Sequence, residues 1–196
     1  MTGSRSYHHG DLRRAVMAAA LEVIAADGPA AISLRDLARR AGVSHAAPAH
    51  HFKDRAGLLT AIAAEGYGLL ADALADVPCE SPDALRELGV RYVRFAVDHP
   101  AHFEVMHRPH LHHPDDPELV AARDHAWRLL SGGVDALPAA GRGPDARTAA
   151  LAAWSLAHGF ATLHLNGGIG GSEGVEPTEL FRRMAELIFV EPTTGE

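Results

Sequence analysis

The chain has 196 residues, an apolar share of 47% and a formal net charge of −7. That is length for one compact domain, or for a small one joined to a larger one, with a core that can be buried. The lone Cys79 excludes an intramolecular disulfide and a thiolate metal cluster and fits a reducing compartment. No uninterrupted apolar run approaches the roughly 18 residues that span a bilayer, and the first residues are polar and basic without a hydrophobic segment, so the expectation is a cytoplasmic protein with no membrane partner. Net charge alone argues against a nucleic-acid partner, but residues 1–60 carry eight basic and five acidic side chains while the remainder carries ten and twenty. A basic head on an acidic body is the footprint of a DNA-facing domain, although on charge alone chance accounts for it equally well.

The head opens with an arm, residues 1–9, whose Arg5 suits a phosphate or a minor groove; simple disorder is the alternative. Helical spacing of Leu12, Val16, Ala19, Ala20, Val23 and Ile24 predicts a helix over 11–27, stopped by Gly28 and Pro29. Ser33 is placed to cap a short helix over 34–41, with Leu34, Leu37, Ala38 and Ala41 on one face and Gly42 ending it. Ser44 is expected to cap a second short helix over 45–51, too short to survive undocked. Two such helices around a glycine-containing turn are a helix-turn-helix, whose second helix enters the DNA major groove. His45, Ala46, Ala47 and His50 offer that groove imidazoles and small side chains, with no Arg, Asn or Gln for bidentate base reading. Pro48 predicts a distorted first turn. Phe52 is the expected plug on the core and Asp54 the cap of the next helix. Arg35, Lys53, Arg55 and the Ser33 cap are assigned to phosphates, so the DNA-binding set is Ser33, Arg35, Ser44, His45, Ala46, Ala47, His50, Lys53 and Arg55.

The runs Ser33-Leu34-Arg35-Asp36-Leu37-Ala38, Ala41-Gly42-Val43-Ser44 and His51-Phe52-Lys53-Asp54-Arg55 with Leu58-Leu59 resemble the tetracycline-repressor (TetR) family of transcriptional regulators. The opening Tyr7-His8-His9-Gly10-Asp11-Leu12-Arg13, and Trp154 with His158-Gly159, resemble a subgroup with a C-terminal Trp/His-Gly signature. The resemblance implies an all-α homodimer that binds palindromic operators through its N-terminal domain and releases them when a small molecule enters the C-terminal one. It also implies that the last two helices form the dimer contact. The chain departs from the family pattern where Ala49 and His50 stand in place of an aromatic residue before the closing His-Phe, so one expected DNA contact is missing unless His50 replaces it. Arg55 stands where the family usually has lysine, which keeps the phosphate contact.

Further along, a long helix is expected over 54–77, with Gly66 and Gly68 inside it serving either a softened signal path or close packing. Pro78, Ser81 and Pro82 mark a boundary, and the domains are taken as 1–55 for DNA binding and 56–196 for effector binding and dimerisation. Helices follow over 82–99, 101–106, 117–137, 146–166 and 177–190, with a Gly/Pro linker at 139–145 and no alternating strand pattern. The fold class is all-α: a three-helix head and a helical body.

Six of the fourteen histidines, His99, His102, His107, His110, His112 and His113, lie within fifteen positions near Asp115 and Asp116. A metal-sensing cluster is one reading and a solvated loop the other; with prolines and no cysteine in the run, no metal or cofactor is assigned. Trp154 and His158 share a helix face, and Gly159 is expected to let another helix come close. Core packing explains the indole and imidazole, and so does the wall of an effector pocket with Phe95, Phe103, Met106, His107 and Trp127, which would take an apolar or aromatic small molecule. The glycine run at 168–174 follows a helix rather than a strand, Ser155 has no nucleophile elbow, and no HExxH zinc motif occurs, so the protein is not read as an enzyme. Leu156, Phe160, Leu163, Leu180, Met184, Leu187 and Ile188 offer more apolar surface than two terminal helices of a monomer bury. The sequence therefore reads as a ligand-responsive regulator, a homodimeric repressor on double-stranded operator DNA. The competing readings are a histidine-dependent metal sensor and a ligand-binding protein without specific DNA affinity.

Overall fold

A computed structural model describes residues 9–78, 81, 83–134, 145–170 and 174–188. Among them are nine α-helices, two short 3-10 turns and no strand, the all-α architecture that the helical periodicities imply. The arm with Arg5, the linker at 139–144 and the expected helical residues at 135–137 and 189–190 lie outside the described residues, while Gly133 and Val134, expected inside the helix over 117–137, form a turn after that helix stops at Gly132.

The chain forms two compact units, one from residues up to 66 together with 101–120, the other from 67–100 together with 121 onward. In the first, α1 (His9–Asp27) packs on α2 (Leu34–Arg40) and α3 (Ala47–Phe52), and the first turns of α4 (Arg55–Ala75) complete the head. Its core is Val16, Ala20, Ile24, Leu37, Ala38, Phe52, Leu58, Leu59 and Ile62. Every one sits at helical spacing on the face turned away from water, so burial rather than intrinsic propensity holds these short helices. The Ser33 hydroxyl caps α2 by accepting from the Asp36 amide at 3.4 Å. At the other end Gly42, at φ 66°, lets the Val43 amide reach the Ala38 carbonyl (2.9 Å) and its own amide reach that of Arg39 (3.3 Å). That is a Schellman stop, which needs a left-handed residue.

The start of α3 corrects the sequence reading. The helix begins at Ala47 rather than 45, its N-cap Ala46 makes no side-chain bond, and the Ser44 carbonyl, not its hydroxyl, accepts from the Ala47 amide at 3.0 Å. Pro48 explains the shift. At the second helical position its missing N–H removes no helical bond, so the first turn is delayed rather than distorted.

Residues 101–120 of the same unit contain α6 (Pro100–Met106, of which Pro100 belongs to the other unit) and a 3-10 turn at Pro109–Leu111. They bind α4 directly. A β-carbon on Gly66 would lie 2.6 Å from the Met106 sulfur, so close packing accounts for this glycine, whereas a β-carbon on Gly68 would meet nothing within 4 Å. His102 Nε2 lies 3.0 Å from Glu65 Oε2.

An 18-residue window of α4 has the length and hydropathy, 1.4, to cross a membrane, but 61% of it is buried within the protein, as in a core helix. In the second unit α5 (Ala84–Asp98) is the centre, packed against α8 (Ala146–Leu165) and α9 (Pro177–Ile188), with the body of α7 (Pro117–Gly132) also in this unit. Leu85, Leu88, Tyr92, Phe95 and Ala96 of α5 are all buried. The expected close approach at Gly159 is not found: a β-carbon there would meet nothing within 4 Å.

Candidate functional site

In the head, Pro48 and Phe52 are buried while His45, Ala46, Ala49, His50 and Lys53 are exposed and Ala47 is half-buried. The helix is thus fixed from its inner face and presents imidazoles and methyl groups outward. Arg13 stacks its guanidinium 6.0 Å over the Phe52 ring, tying α1 to the same plug. Ser44 and Arg35 are exposed as well. Ser33, by contrast, has its hydroxyl engaged in the cap. The Arg55 guanidinium also turns inward in part: Nη2 donates to the Pro29 carbonyl at 2.7 Å, which clamps the 3-10 turn at Pro29–Ala31 onto the start of α4.

Lys53 joins α3 to α4 in a conformation that sequence reading missed. At φ 65° and ψ −61° it is the one described non-glycine residue with positive φ. The Asp54 amide donates back to the Phe52 carbonyl at 2.8 Å, closing a strained γ-turn. Asp54 then caps α4 through the Gly57 amide at 2.7 Å. This bond, and after it the charge and ring of His113, hold the Asp54 carboxyl below its ordinary range. A β-carbon on Gly57 would overlap the Phe52 carbonyl oxygen, so the tight turn requires glycine there.

Behind α3 lies a cleft of about 200 Å³ lined by Arg13, His51, Phe52, Lys53, Thr60 and His113 among others. The buried Thr60 hydroxyl bridges two elements across it, donating to the Ala56 carbonyl at 2.7 Å and accepting from the His113 amide at 2.9 Å. His113 Nε2 lies 3.5 Å from Asp54 Oδ1, and Arg13 lies 3.7 Å from Glu118. The histidine-rich stretch therefore disperses onto different partners, His107 donating from Nδ1 to the Phe103 carbonyl at 2.9 Å and His99 lying 5.3 Å from the Phe95 ring. Among the described residues no group of three or more His, Cys, Asp or Glu is arranged to hold a metal ion.

The seven residues expected around an effector fall in both units: Phe103, Met106 and His107 in the first, Phe95, Trp127, Trp154 and His158 in the second. In the second unit a polar chain crosses the packed aromatics. Trp154 Nε1 donates to the Tyr92 hydroxyl at 3.3 Å, and that hydroxyl lies 2.9 Å from His158 Nδ1. Burial raises the Tyr92 pKa, so the phenol keeps its proton and donates a hydrogen bond to His158 Nδ1. Burial also lowers the His158 pKa, keeping the ring neutral, and the network then places its own proton on Nε2, 3.5 Å from the Thr162 hydroxyl. Trp127 meets Trp154 edge-on at 6.2 Å. Tyr92 was legible only as part of an apolar stripe; its hydroxyl partner lies 66 residues away.

An opening in this unit, about 320 Å³, lies between the end of α7 and the start of α8, lined by Trp127, Arg128, Ser131, Gly132, Ala146, Arg147 and Ala150. Its two arginines carry no sequence signal that distinguishes them from surface charges.

Residues 16–62 match the family model "Bacterial regulatory proteins, tetR family", and residues 85–188 match "Tetracyclin repressor-like, C-terminal domain". No curated protein matches the chain. Among solved structures, a Rhodococcus sp. RHA1 protein of unknown function is 34% identical, with 95% of this chain and 97% of that one covered and a TM-score of 0.76. A tetR-family regulatory protein from Rhodococcus RHA1 is 26% identical, covering 91% and 95%, with a TM-score of 0.71. PfmR, a TetR-family regulator from Thermus thermophilus, shares the fold at 23% identity, 90% and 99% coverage and a TM-score of 0.64. With its helix-turn-helix head in one family model and more than half its length in the other, the chain belongs to the TetR family of DNA-binding transcriptional regulators.

Proposed function

We propose that the protein is a cytoplasmic, homodimeric repressor that binds a palindromic operator and releases it when a small aromatic or apolar molecule occupies the 56–196 body. The observation that carries this reading is α3: anchored by buried Pro48 and Phe52, it leaves His45, Ala46 and His50 exposed toward bases, with Lys53 at its end for a phosphate. Arg35 and Ser44 complete the contact surface. Ser33 and Arg55 act chiefly by holding α2 and the 3-10 turn in place, since their polar groups are engaged within the head. Small side chains at the tip favour contact with thymine methyls over bidentate hydrogen bonds.

Dimerisation is assigned to α8 and α9, where Leu163 and Leu187 are 55% and 80% exposed beside the buried Phe160 and Phe181. Paired two-fold, four such helices form a bundle, and the two recognition helices then meet major grooves about 34 Å apart or a multiple of it. The effector is assigned to the aromatic side of the second unit, around Trp127, Trp154, His158 and Phe95. Its binding shifts the population toward heads that no longer fit the groove spacing.

The test is selection of genomic fragments by the purified protein at near-physiological salt, followed by sequencing. A shared palindrome, retained by a dimer, is the expected result. Featureless enrichment would remove specific operator recognition.

A further inference from the structure

We propose that the cleft between the end of α7 and the start of α8 binds a small aromatic carboxylate, its ring against Trp127 and its carboxylate between Arg128 and Arg147. The proposal rests on the effector reading above and names the chemical class that this body takes.

Ion pairing in the second unit singles out these two residues. Eight arginines of that unit are described. Arg86 pairs with Asp83, Arg91 with Glu87, Arg123 with Asp124, Arg182 with Glu87 and Glu179, and Arg183 with Glu179, while Arg94 donates to the Thr178 hydroxyl. Arg128 and Arg147 have no such partner among the described residues, and both line the same opening. The described carboxylates nearby, Asp124 and Asp145, are committed elsewhere. Asp124, one turn before Arg128, lies 3.8 Å from Arg123. Asp145 gives one oxygen to the Thr148 amide at 2.6 Å and the other to its hydroxyl at 2.8 Å, and although it feels the Arg147 charge it makes no ion pair with it. No acidic side chain is among the described lining residues, in a body whose residues beyond position 60 carry twice as many acids as bases.

The remaining lining supplies the rest of the site. Gly132, Ala146 and Ala150 keep the space open, and the half-buried Trp127 offers an aromatic wall braced edge-on by Trp154. Ser131 turns its hydroxyl to the Arg128 carbonyl at 3.2 Å, so it adds no anchored charge. About 320 Å³ suits a one- or two-ring ligand. Two guanidiniums with an aromatic plane select a planar anion over a neutral ring, because charge-assisted forks form only with the carboxylate. Through Trp127 the ligand would press on Trp154 and hence on the Tyr92–His158 chain, which connects the cleft to the helices assigned to dimerisation.

The full chain is titrated with naphthoate and with its neutral amide, read by tryptophan fluorescence and by the shift in melting temperature, in wild type and in Arg128→Gln/Arg147→Gln. We expect naphthoate to bind at least about tenfold more tightly than the amide, and the double variant to erase that preference. The variant must melt as wild type does without ligand; the single variants Arg128→Lys and Arg147→Lys, which keep the charge, should each retain part of the preference. Equal affinity for acid and amide, no binding of either at millimolar concentration, or an unaltered preference in the double variant overturns the proposal. Operator selection on the same samples separates the two readings. A retained palindrome without acid binding overturns this site alone, whereas acid binding without operator selection supports the site and overturns the regulator.

Discussion

Replacing Gly57 with alanine sets two effects of opposite sign against each other. In a solvent-facing helix the change stabilises by about 1 kcal/mol, because glycine loses more backbone freedom on folding. At Gly57, however, the new methyl would overlap the backbone carbonyl oxygen of Phe52, and a backbone oxygen cannot rotate away as a side chain does. Relief requires opening the γ-turn at Lys53, which lengthens the 2.8 Å bond from the Asp54 amide and the 2.7 Å cap from the Gly57 amide. Overpacking costs about 1–3 kcal/mol and a lost cap about 0.5–2 kcal/mol. Set against the helical gain, the net is a loss of about 2 kcal/mol, or a fall of about 4–8 °C in melting temperature for a chain of this size. Because the same turn holds the end of α3, operator affinity should fall with stability. Thermal and denaturant unfolding, with operator titration well below the melting point, measure both. A melting temperature raised by alanine, with operator affinity unchanged, would refute the packing argument and leave helix propensity as the governing effect.

Other perturbations isolate single physical terms. Lys53→Gly removes a charge and relieves positive-φ strain together, so stability should rise by about 1 kcal/mol while operator binding weakens for all sequences alike. The slope of log affinity against log salt should drop by about 1, and an unchanged slope takes Lys53 off the phosphate list. For His158 the folded-state pKa lies below the ordinary histidine value through burial. The unfolded chain therefore binds the proton first, so stability is fully present above about pH 6.5 and declines as pH falls below it. Denaturation at neutral and mildly acid pH should show a steeper acid loss in wild type than in His158→Gln; equal slopes would mean that His158 is not held neutral. Leu163→Glu with Leu187→Glu should convert the proposed dimer to monomer and abolish operator binding, as read by sedimentation and titration. A variant that stays dimeric would move the interface away from α8 and α9.

Local chemistry was legible in the residue order alone. The Ser33 cap, the Gly42 stop, the Asp54 cap and the Phe52 plug each depend on residues within a few positions of one another, so the residue types already imply the bonds. So does the all-α class, since every apolar stripe repeats at helical spacing. The exception is the start of α3, where two cues competed at short range and Pro48 prevailed over Ser44.

What the sequence could not show joins residues far apart in the chain. Arg55 reaches Pro29 across 26 positions, the His113 amide reaches Thr60 across 53, and Tyr92 meets His158 across 66. A guanidinium read alone suggests phosphate, and a tyrosine in an apolar stripe suggests simple packing; only the fold reveals that the first clamps a turn and the second orients an imidazole. The same holds for Arg128 and Arg147, ordinary surface charges in the sequence, whose convergence on one cleft is a property of where α7 ends and α8 begins. Sequence thus determined the helices, their stops and the family, because those follow from neighbours along the chain. Tertiary structure decided which polar groups remain available for DNA or ligand, because a hydrogen bond within the protein removes a group from the surface wherever its partner lies in the sequence.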